Sequence, residues 1–210
     1  MAHAAHLPLP YPEVALIEEE TLAEQNLAVA AALPTRPLVL GGCCCAHVGA
    51  IEGLAAGRDR LGVVWIDAHG DLNTSASSPS GNAWGMPLRT LIDAGIVDSG
   101  DVALVGARNL DPSEEQFIAD VGLPLGESGV ERALGGVNAV YVALDLDALD
   151  PREGVVPFLP EPDGLTLDAA EQLLGRIVEQ RPLAGAGLTG LTADARNIEP
   201  LARLCTALGL

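Results

Sequence analysis

Short apolar runs alternate with amphipathic stretches along the chain, which predicts strands separated by helices. Five apolar runs predict buried strands at 37–40, 61–66, 102–106, 139–144 and 183–191. Six amphipathic stretches predict helices at 46–56, 86–94, 112–120, 127–134, 167–180 and 199–208. In the stretch 167–180 the apolar residues recur every three or four positions, which is the spacing of one helix face. This order indicates an α/β fold in which helices cover both faces of a mostly parallel sheet.

The composition fits one domain with a core of small and branched aliphatic side chains. The chain has 210 residues, of which 49% are hydrophobic and only 3% aromatic. No internal repeat or low-complexity linker divides it. Residues 1–210 are therefore expected to form a single domain.

The charge and cysteine content exclude several classes of protein. The formal net charge is −18 at pH 7, and no basic patch appears, so nucleic acid is not expected as a partner. No apolar stretch is long enough to span a bilayer, and residues 1–12 lack the regions of a secretory signal. The consecutive Cys43, Cys44 and Cys45 do not form a disulfide framework, so a reducing cytoplasm is the expected location.

Two acidic clusters directly follow two of the predicted strands. Asp67-Ala68-His69-Gly70-Asp71 comes after 61–66, and Asp145-Leu146-Asp147 comes after 139–144. Burying several carboxylates is costly without a compensating charge, and a divalent cation, or a pair of them, is the simplest remedy. Carboxylates with one imidazole suit Mn, Fe, Zn or Ni, and the excess of oxygen favours Mn. Cys44 follows another strand, and ligands of parallel sheets bind beyond the carboxyl ends of the strands, so one shared site is expected.

These motifs resemble those of the ureohydrolase family, which contains the arginases, the agmatinases and their relatives. The segments 67–74 and 145–151 resemble its two aspartate motifs, and 41–45 stands in the place of a Gly-Gly-Asp-His-Ser motif. The segments 78–87 and 106–114 are similar to bacterial arginases in particular. The resemblance implies a three-layer α-β-α arginase-like fold with a mostly parallel sheet.

The resemblance also implies a binuclear manganese site. Asp67 and Asp145 would bridge two Mn²⁺ ions, Asp71 would complete the shell of one ion, and His69 and Asp147 would complete that of the other. A hydroxide between the ions would be the nucleophile, with Asp71 as its hydrogen-bond partner. Asp71 and Asp147 are therefore the expected catalytic residues.

The reaction implied is hydrolysis of a linear guanidino or amidino C–N bond. Arginine, which would give ornithine and urea, is the first substrate to expect. The substrate-binding residues that the resemblance implies are Asn73, Ser80, Asn82, Asp111 and Glu114. Family members that resemble this chain form trimers or hexamers, so a homo-oligomer is expected.

Three residues depart from the family pattern at positions that bear on the chemistry. Cys44 stands in place of a histidine ligand, Trp84 in place of a proton-relaying histidine, and Thr192 near the place of a guanidinium-clamping glutamate. His47 is an alternative ligand to Cys44, and Asp194 an alternative to Thr192. Two other interpretations stay open. One is a catalytically weakened relative that serves as a metal-binding or assembly subunit. The other is a mononuclear Zn amidohydrolase, because thiolate favours softer ions.

Other features near the motifs have simpler interpretations. Cys43 and Cys45 are expected to point away from the site or to pack, and 151–164 to form a long loop over it. His3 and His6 carry no functional signal. Few residues precede the Gly-Gly motif compared with the family, so an edge strand is expected to be missing and the sheet edge to be open to a partner subunit.

Overall fold

The computed structural model describes residues 12–210 and contains one sheet of five parallel strands within them. The strands are β1 (Leu38–Leu40), β2 (Leu61–Ile66), β3 (Val102–Val105), β4 (Ala139–Asp145) and β5 (Leu183–Thr189). Their order across the sheet is β1-β5-β4-β2-β3. All five lie where the apolar runs predict strands, and the parallel sheet is confirmed. His3 and His6 lie outside the described residues.

Seven α-helices flank the sheet in the described part of the chain. They are α1 (Leu22–Ala32), α2 (Ala46–Ala55), α3 (Pro87–Asp93), α4 (Pro112–Val121), α5 (Gly126–Leu134), α6 (Leu167–Gln180) and α7 (Ile198–Ala207). Helices α2 to α7 confirm the six predicted helices to within one or two residues at most ends. No helix within residues 12–210 has the length and apolar character needed to cross a membrane.

Helix α1 is the element that the sequence pattern does not reveal. It begins at a capping box: the Thr21 hydroxyl accepts a hydrogen bond from the Glu24 amide, and the Glu24 carboxylate accepts one from the Thr21 amide. None of its residues is fully buried, so it lacks the apolar stripe that identifies a helix. Its backbone lies so close to α2 at Gly49 that no side chain would fit there. A Cβ added at Gly49 would lie 2.3 Å from the Asn26 carbonyl oxygen.

The sheet separates two apolar layers, because successive residues of a strand point to opposite faces. Along β2, Val63 and Trp65 pack on one face with side chains of α2, α3 and α4. Val64 and Ile66 pack on the other face with side chains of α5, α6 and α7. The result is the three-layer α-β-α fold that the resemblance implies.

The strand order determines what meets at the carboxyl end of the sheet. β4 lies in the middle of the sheet between β2 and β5, and the register pairs Asp145 with Thr189. β1 is an edge strand among the described residues and pairs with β5. The loops that follow β1, β2 and β4 therefore converge at one edge of the sheet.

Candidate active site

A cavity of about 220 Å³ opens where these loops converge. The residues that line it include all six side chains predicted to bind metal: Cys44, Asp67, His69, Asp71, Asp145 and Asp147. They come from three separate parts of the chain, which the parallel order of the strands brings together. The structure thus brings these six side chains together at the carboxyl end of the sheet, as the sequence predicts.

Backbone amides hold three of the carboxylates in place. The amide of His69 donates to Asp67 Oδ1 at 2.8 Å, and the amide of Asp147 donates to Asp145 Oδ1 at 3.0 Å. The amide of Ala68 donates to Asp147 Oδ1 at 3.1 Å, which ties the loop after β2 to the loop after β4. The main chain therefore fixes both acidic clusters in one arrangement.

Two sets of three donor groups lie close enough together to hold a cation each. Within each set the donor atoms all lie within 4.8 Å of one another; the sets are Cys44, Asp67 and Asp71, and Asp67, His69 and Asp147. Asp67 belongs to both. Asp145 lies beside the first set, with its Oδ2 3.0 Å from Cys44 Sγ. This arrangement fits two neighbouring cations that share a carboxylate.

Burial leaves the negative charge of these carboxylates poorly compensated. It raises the pKa of Asp67 to about 6, and together with the neighbouring carboxylates it raises the pKa values of Asp71 and Asp145 well above the ordinary range. Asp71 also has a left-handed backbone, with φ of 54°. Its buried Oδ2 has no hydrogen-bond partner among the described residues. A cation would explain a strained backbone that holds an unpartnered carboxylate oxygen at a polar cavity.

Cys44 is buried among the carboxylates. Its Sγ lies 3.3 Å from Asp67 Oδ2 and 3.2 Å from Thr189 Oγ1, in addition to its contact with Asp145. Burial, followed by the nearby carboxylate charges, raises the pKa of this thiol well above its ordinary value. The thiol is therefore neutral in the absence of a cation, and its single S–H donates to one of the two carboxylates, Asp67 or Asp145. Its sulfur is close enough to the first donor set to become a ligand.

A chain of buried polar groups supports Asp145. The Thr189 hydroxyl donates to Asp145 Oδ2 at 3.0 Å, so it accepts from His47 Nε2 at 3.1 Å. His47 Nδ1 then accepts from the Tyr141 hydroxyl at 3.1 Å. Burial lowers the pKa of His47 to about 3, which agrees with a neutral ring. Both nitrogens of His47 are engaged and it does not line the cavity, so it does not replace Cys44 as a ligand in this structure.

His69 connects the second donor set to the loop at 151–164. Its Nδ1 lies 3.2 Å from Asp147 Oδ2 and 3.3 Å from Asp67 Oδ1, and these two carboxylates raise the pKa of the imidazole to about 11. On the other side of the ring, Nε2 lies 3.5 Å from Glu161 Oε1. A carboxylate behind a histidine in this way commonly orients a metal-binding ring.

The segment 151–164 forms the loop expected beside the site. Arg108 holds it, donating to the carbonyl oxygens of Glu161 at 2.8 Å and Pro162 at 2.7 Å. The same guanidinium donates to the Asp147 carbonyl oxygen at 2.8 Å. Glu161 is a residue that the motifs miss, because only the course of this loop brings it to His69.

Four of the five residues predicted to bind substrate line the cavity: Asn73, Ser80, Asp111 and Glu114. Asn82 does not line it and is instead partly exposed beside it. All four are already bonded to protein groups, and Ser80 Oγ accepts from the amide of Asn82 at 3.2 Å. Asn73 Nδ2 donates to Asp111 Oδ2 at 2.7 Å, and Glu114 accepts from the amides of Leu72 and Asp111, each at 2.9 Å. These bonds shape the wall of the cavity as well as offering polar atoms to a ligand.

Aromatic and aliphatic side chains form the remaining wall. Trp84 and Phe158 meet edge to face with ring centroids 6.1 Å apart, and both are about half exposed, at 44% and 56%. Leu159 lines the cavity beside them. Thr192 lies elsewhere, since its hydroxyl donates to the Val156 carbonyl oxygen at 2.6 Å.

Clear positions are also found for Asp194, Cys43 and Cys45. Asp194 does not line the cavity and is paired with Arg196, its Oδ2 2.8 Å from the guanidinium. Cys43 is half-buried among the residues that line the cavity, and its Sγ contacts that of Cys45. Cys45 is buried and packs, as expected.

Comparison with known proteins points to one family. The model of the Arginase family matches residues 5–193. Arginase from Bacillus caldovelox is 32% identical over 212 aligned positions, which cover 85% of this chain and 71% of that protein. Arginase from Bacillus subtilis (strain 168) is 39% identical over 142 positions, which cover 56% of this chain and 48% of that protein. The crystal structure of arginase from Bacillus cereus matches with a TM-score of 0.82 at 28% identity, over 89% of this chain and 77% of that one.

Proposed function

Because the chain belongs to the arginase family of hydrolases, we propose that it hydrolyses a C–N bond of a linear guanidino or amidino compound with a pair of divalent metal ions. Arginine is the first substrate to test, and urea is the product to measure. The observation that carries the proposal is the position of Asp67, which two sets of donor groups share.

The chain's own residues suffice to hold two ions. Cys44 and Asp71 would bind the first, His69 and Asp147 the second, and the carboxylates of Asp67 and Asp145 would lie between them. A bound pair of this kind lowers the pKa of a coordinated water and so supplies a nucleophile near neutral pH. Mn²⁺ is proposed first because oxygen ligands predominate, although the thiol increases the affinity for Zn²⁺.

Asp71 and Asp147 are the proposed catalytic residues. Asp71 Oδ2 is buried at the cavity without a partner among the described residues, so it is placed to accept a hydrogen bond from the attacking water and to orient it. Asp147 receives the Ala68 amide on Oδ1, which leaves Oδ2 directed at the second donor set. Neither role requires a covalent intermediate on the protein.

The cavity wall supplies contacts for the rest of the substrate. Ser80 and Asp111 offer a hydroxyl and a carboxylate for a polar or cationic end. Trp84 and Phe158 offer aromatic surface on which an alkyl chain or a guanidinium plane would pack. The substrate class is therefore a cationic, linear compound with an aliphatic segment.

The first test is the metal content of the full chain, purified without chelator and again after incubation with Mn²⁺. About two Mn²⁺ per chain, with urea released from arginine or another linear guanidino compound, would support the proposal. A chain that takes up no metal and releases no urea after Mn²⁺ loading would overturn it.

A matched pair of variants tests whether metal binding and urea release depend on the residues of the cavity. Asp145→Asn removes a proposed bridging charge, so bound metal should fall and urea release should drop by about 100-fold or more. Asp59→Asn removes a carboxylate that is exposed and outside the cavity, so it should change neither quantity. Equal losses in the two variants would contradict the assignment.

A mononuclear Zn amidohydrolase is the second candidate, and the thiol of Cys44 within 3.3 Å of Asp67 favours it. Cys44→His separates the two functions. In a binuclear enzyme this change should keep two ions and increase the preference for Mn²⁺ over Zn²⁺. In a mononuclear Zn enzyme it should leave one ion per chain, because imidazole also binds Zn²⁺, so the number of ions bound separates the two functions.

A further inference from the structure

Two sulfur atoms approach each other closely in the loop between β1 and α2. The Sγ atoms of Cys43 and Cys45 are 2.7 Å apart. The two sulfurs are therefore in direct contact, which is the placement that a disulfide between them requires. The metal-binding proposal does not use this contact.

The backbone of the loop permits this disulfide. Cys45 has helical dihedral angles, with φ of −55° and ψ of −26°, and the amide of Ala46 donates to the Cys43 carbonyl oxygen at 3.1 Å. The amide of Cys45 also donates to Cys43 Sγ at 3.3 Å, so the side chain of Cys43 is turned towards Cys45. A cross-link would therefore join two side chains that already face each other across the turn.

The two thiols differ in access, and the difference gives them different roles. Cys43 is half-buried and is one of the residues that line the cavity, so it is the more accessible thiol of the pair. Cys45 is buried behind it. Cys44 is directed instead at the carboxylates of Asp67 and Asp145. Cys43 is thus the thiol that an oxidant reaches, and Cys45 is the neighbour that resolves the product.

We propose that Cys43 and Cys45 form a redox-modification site that closes to a disulfide when a peroxide enters the cavity. Cys43 sulfur attacks a peroxide oxygen, the O–O bond breaks, and an alcohol or water leaves with the thiol proton, which produces a sulfenic acid. Cys45 sulfur then attacks the Cys43 sulfur, the S–O bond breaks, and water leaves. Two thiols lose two electrons in total, and the peroxide gains them.

The inference goes beyond the proposed function and does not depend on it. The closed ring would contain the backbone of Cys44, whose side chain belongs to the first donor set. Oxidation of Cys43 and Cys45 would therefore restrain the backbone of Cys44. The cross-link itself can be detected without any activity.

The test treats the reduced, full-length chain with a small excess of hydrogen peroxide, then alkylates the remaining thiols and maps the peptides by mass spectrometry. The expected product has lost two hydrogens, resists fragmentation between residues 43 and 45, and carries alkyl groups on Cys44 and Cys205. A thiol reductant should restore all four alkylation sites.

Single variants locate the bond. Cys43→Ser and Cys45→Ser should each abolish the cross-link, whereas Cys44→Ser and Cys205→Ser should keep it. A bond that involves Cys44, a sulfinic acid on Cys43 without a cross-link, or unreacted thiols in the folded protein would each overturn the proposal. The wild-type result stands by itself if a variant fails to fold.

Discussion

The Thr189 hydroxyl is the central link of the buried polar chain, and its removal gives a sharp prediction. Thr189→Val keeps the shape of a fully buried side chain but deletes the hydroxyl, and with it the hydrogen bonds to Asp145 and His47 and the contact with Cys44 Sγ. Without a cation, burial holds the pKa of Asp145 well above the ordinary range, so the bond to it joins uncharged groups. Such a bond contributes about 0.5–1.5 kcal/mol, and a buried donor left without a partner costs about 1–3 kcal/mol. Thr189→Val should therefore lower the free energy of unfolding by about 2–4 kcal/mol in the metal-free protein.

Thr189→Ser is the matched control, because it keeps the hydroxyl and removes one methyl group. Its cost should be close to that of a single buried methyl, about 1 kcal/mol. Urea unfolding of the chelator-treated proteins measures both values, since bound metal would add its own stabilisation. If valine is tolerated within about 0.5 kcal/mol, or serine is as harmful as valine, the hydroxyl does not support Asp145 in the way described.

Three further predictions concern other parts of the molecule. Gly187→Ala places a Cβ 2.4 Å from His47 Nδ1, so it should lower the free energy of unfolding by about 1–3 kcal/mol, measured by urea unfolding. Trp84→Ala should weaken binding of an alkylguanidine to the metal-loaded protein by about tenfold, measured by calorimetry; an unchanged Kd would exclude Trp84 from the binding surface. Side-chain hydrogen bonds from Arg152 lower the pKa of Asp150, so the stability that this pair provides is fully present above the ordinary aspartate pKa and is lost as the pH falls from there through the lower folded-state pKa. Arg152→Gln should therefore be less stable than the wild type at pH 7, and the difference between the two urea midpoints should shrink only as the pH falls well below the ordinary aspartate pKa.

The helices, the strands and the cluster of carboxylates proposed to bind metal can be predicted from the sequence because their signals are local. Strands buried on both faces are continuous apolar runs, and α6 shows the regular spacing of a helix with one buried face. The carboxylates directly follow such strands, so the parallel order alone predicts that they meet. Helix α1 has no such signal, because it contacts α2 through backbone and small residues rather than through an apolar stripe.

Other features of the site depend on long-range placement that no motif records. Thr189 supports Asp145 because the register of β4 with β5 places the two opposite each other. Glu161 reaches His69 through the course of a loop that Arg108 anchors. The position of Cys43 on the cavity wall follows from the turn that starts α2, and the sequence shows only three consecutive cysteines.

The pairing of β1 with β5 has a consequence for the order in which parts of the protein fold. Cys44 and Thr189 are in contact although 145 positions separate them along the chain. During synthesis β1 emerges long before β5, so it cannot dock until β5 has also left the ribosome. Contacts of such long range are also slow to form because of the entropy of closing the intervening loop. The first donor set should therefore be completed late in folding, after Asp67 and Asp145 have been brought together by the central strands.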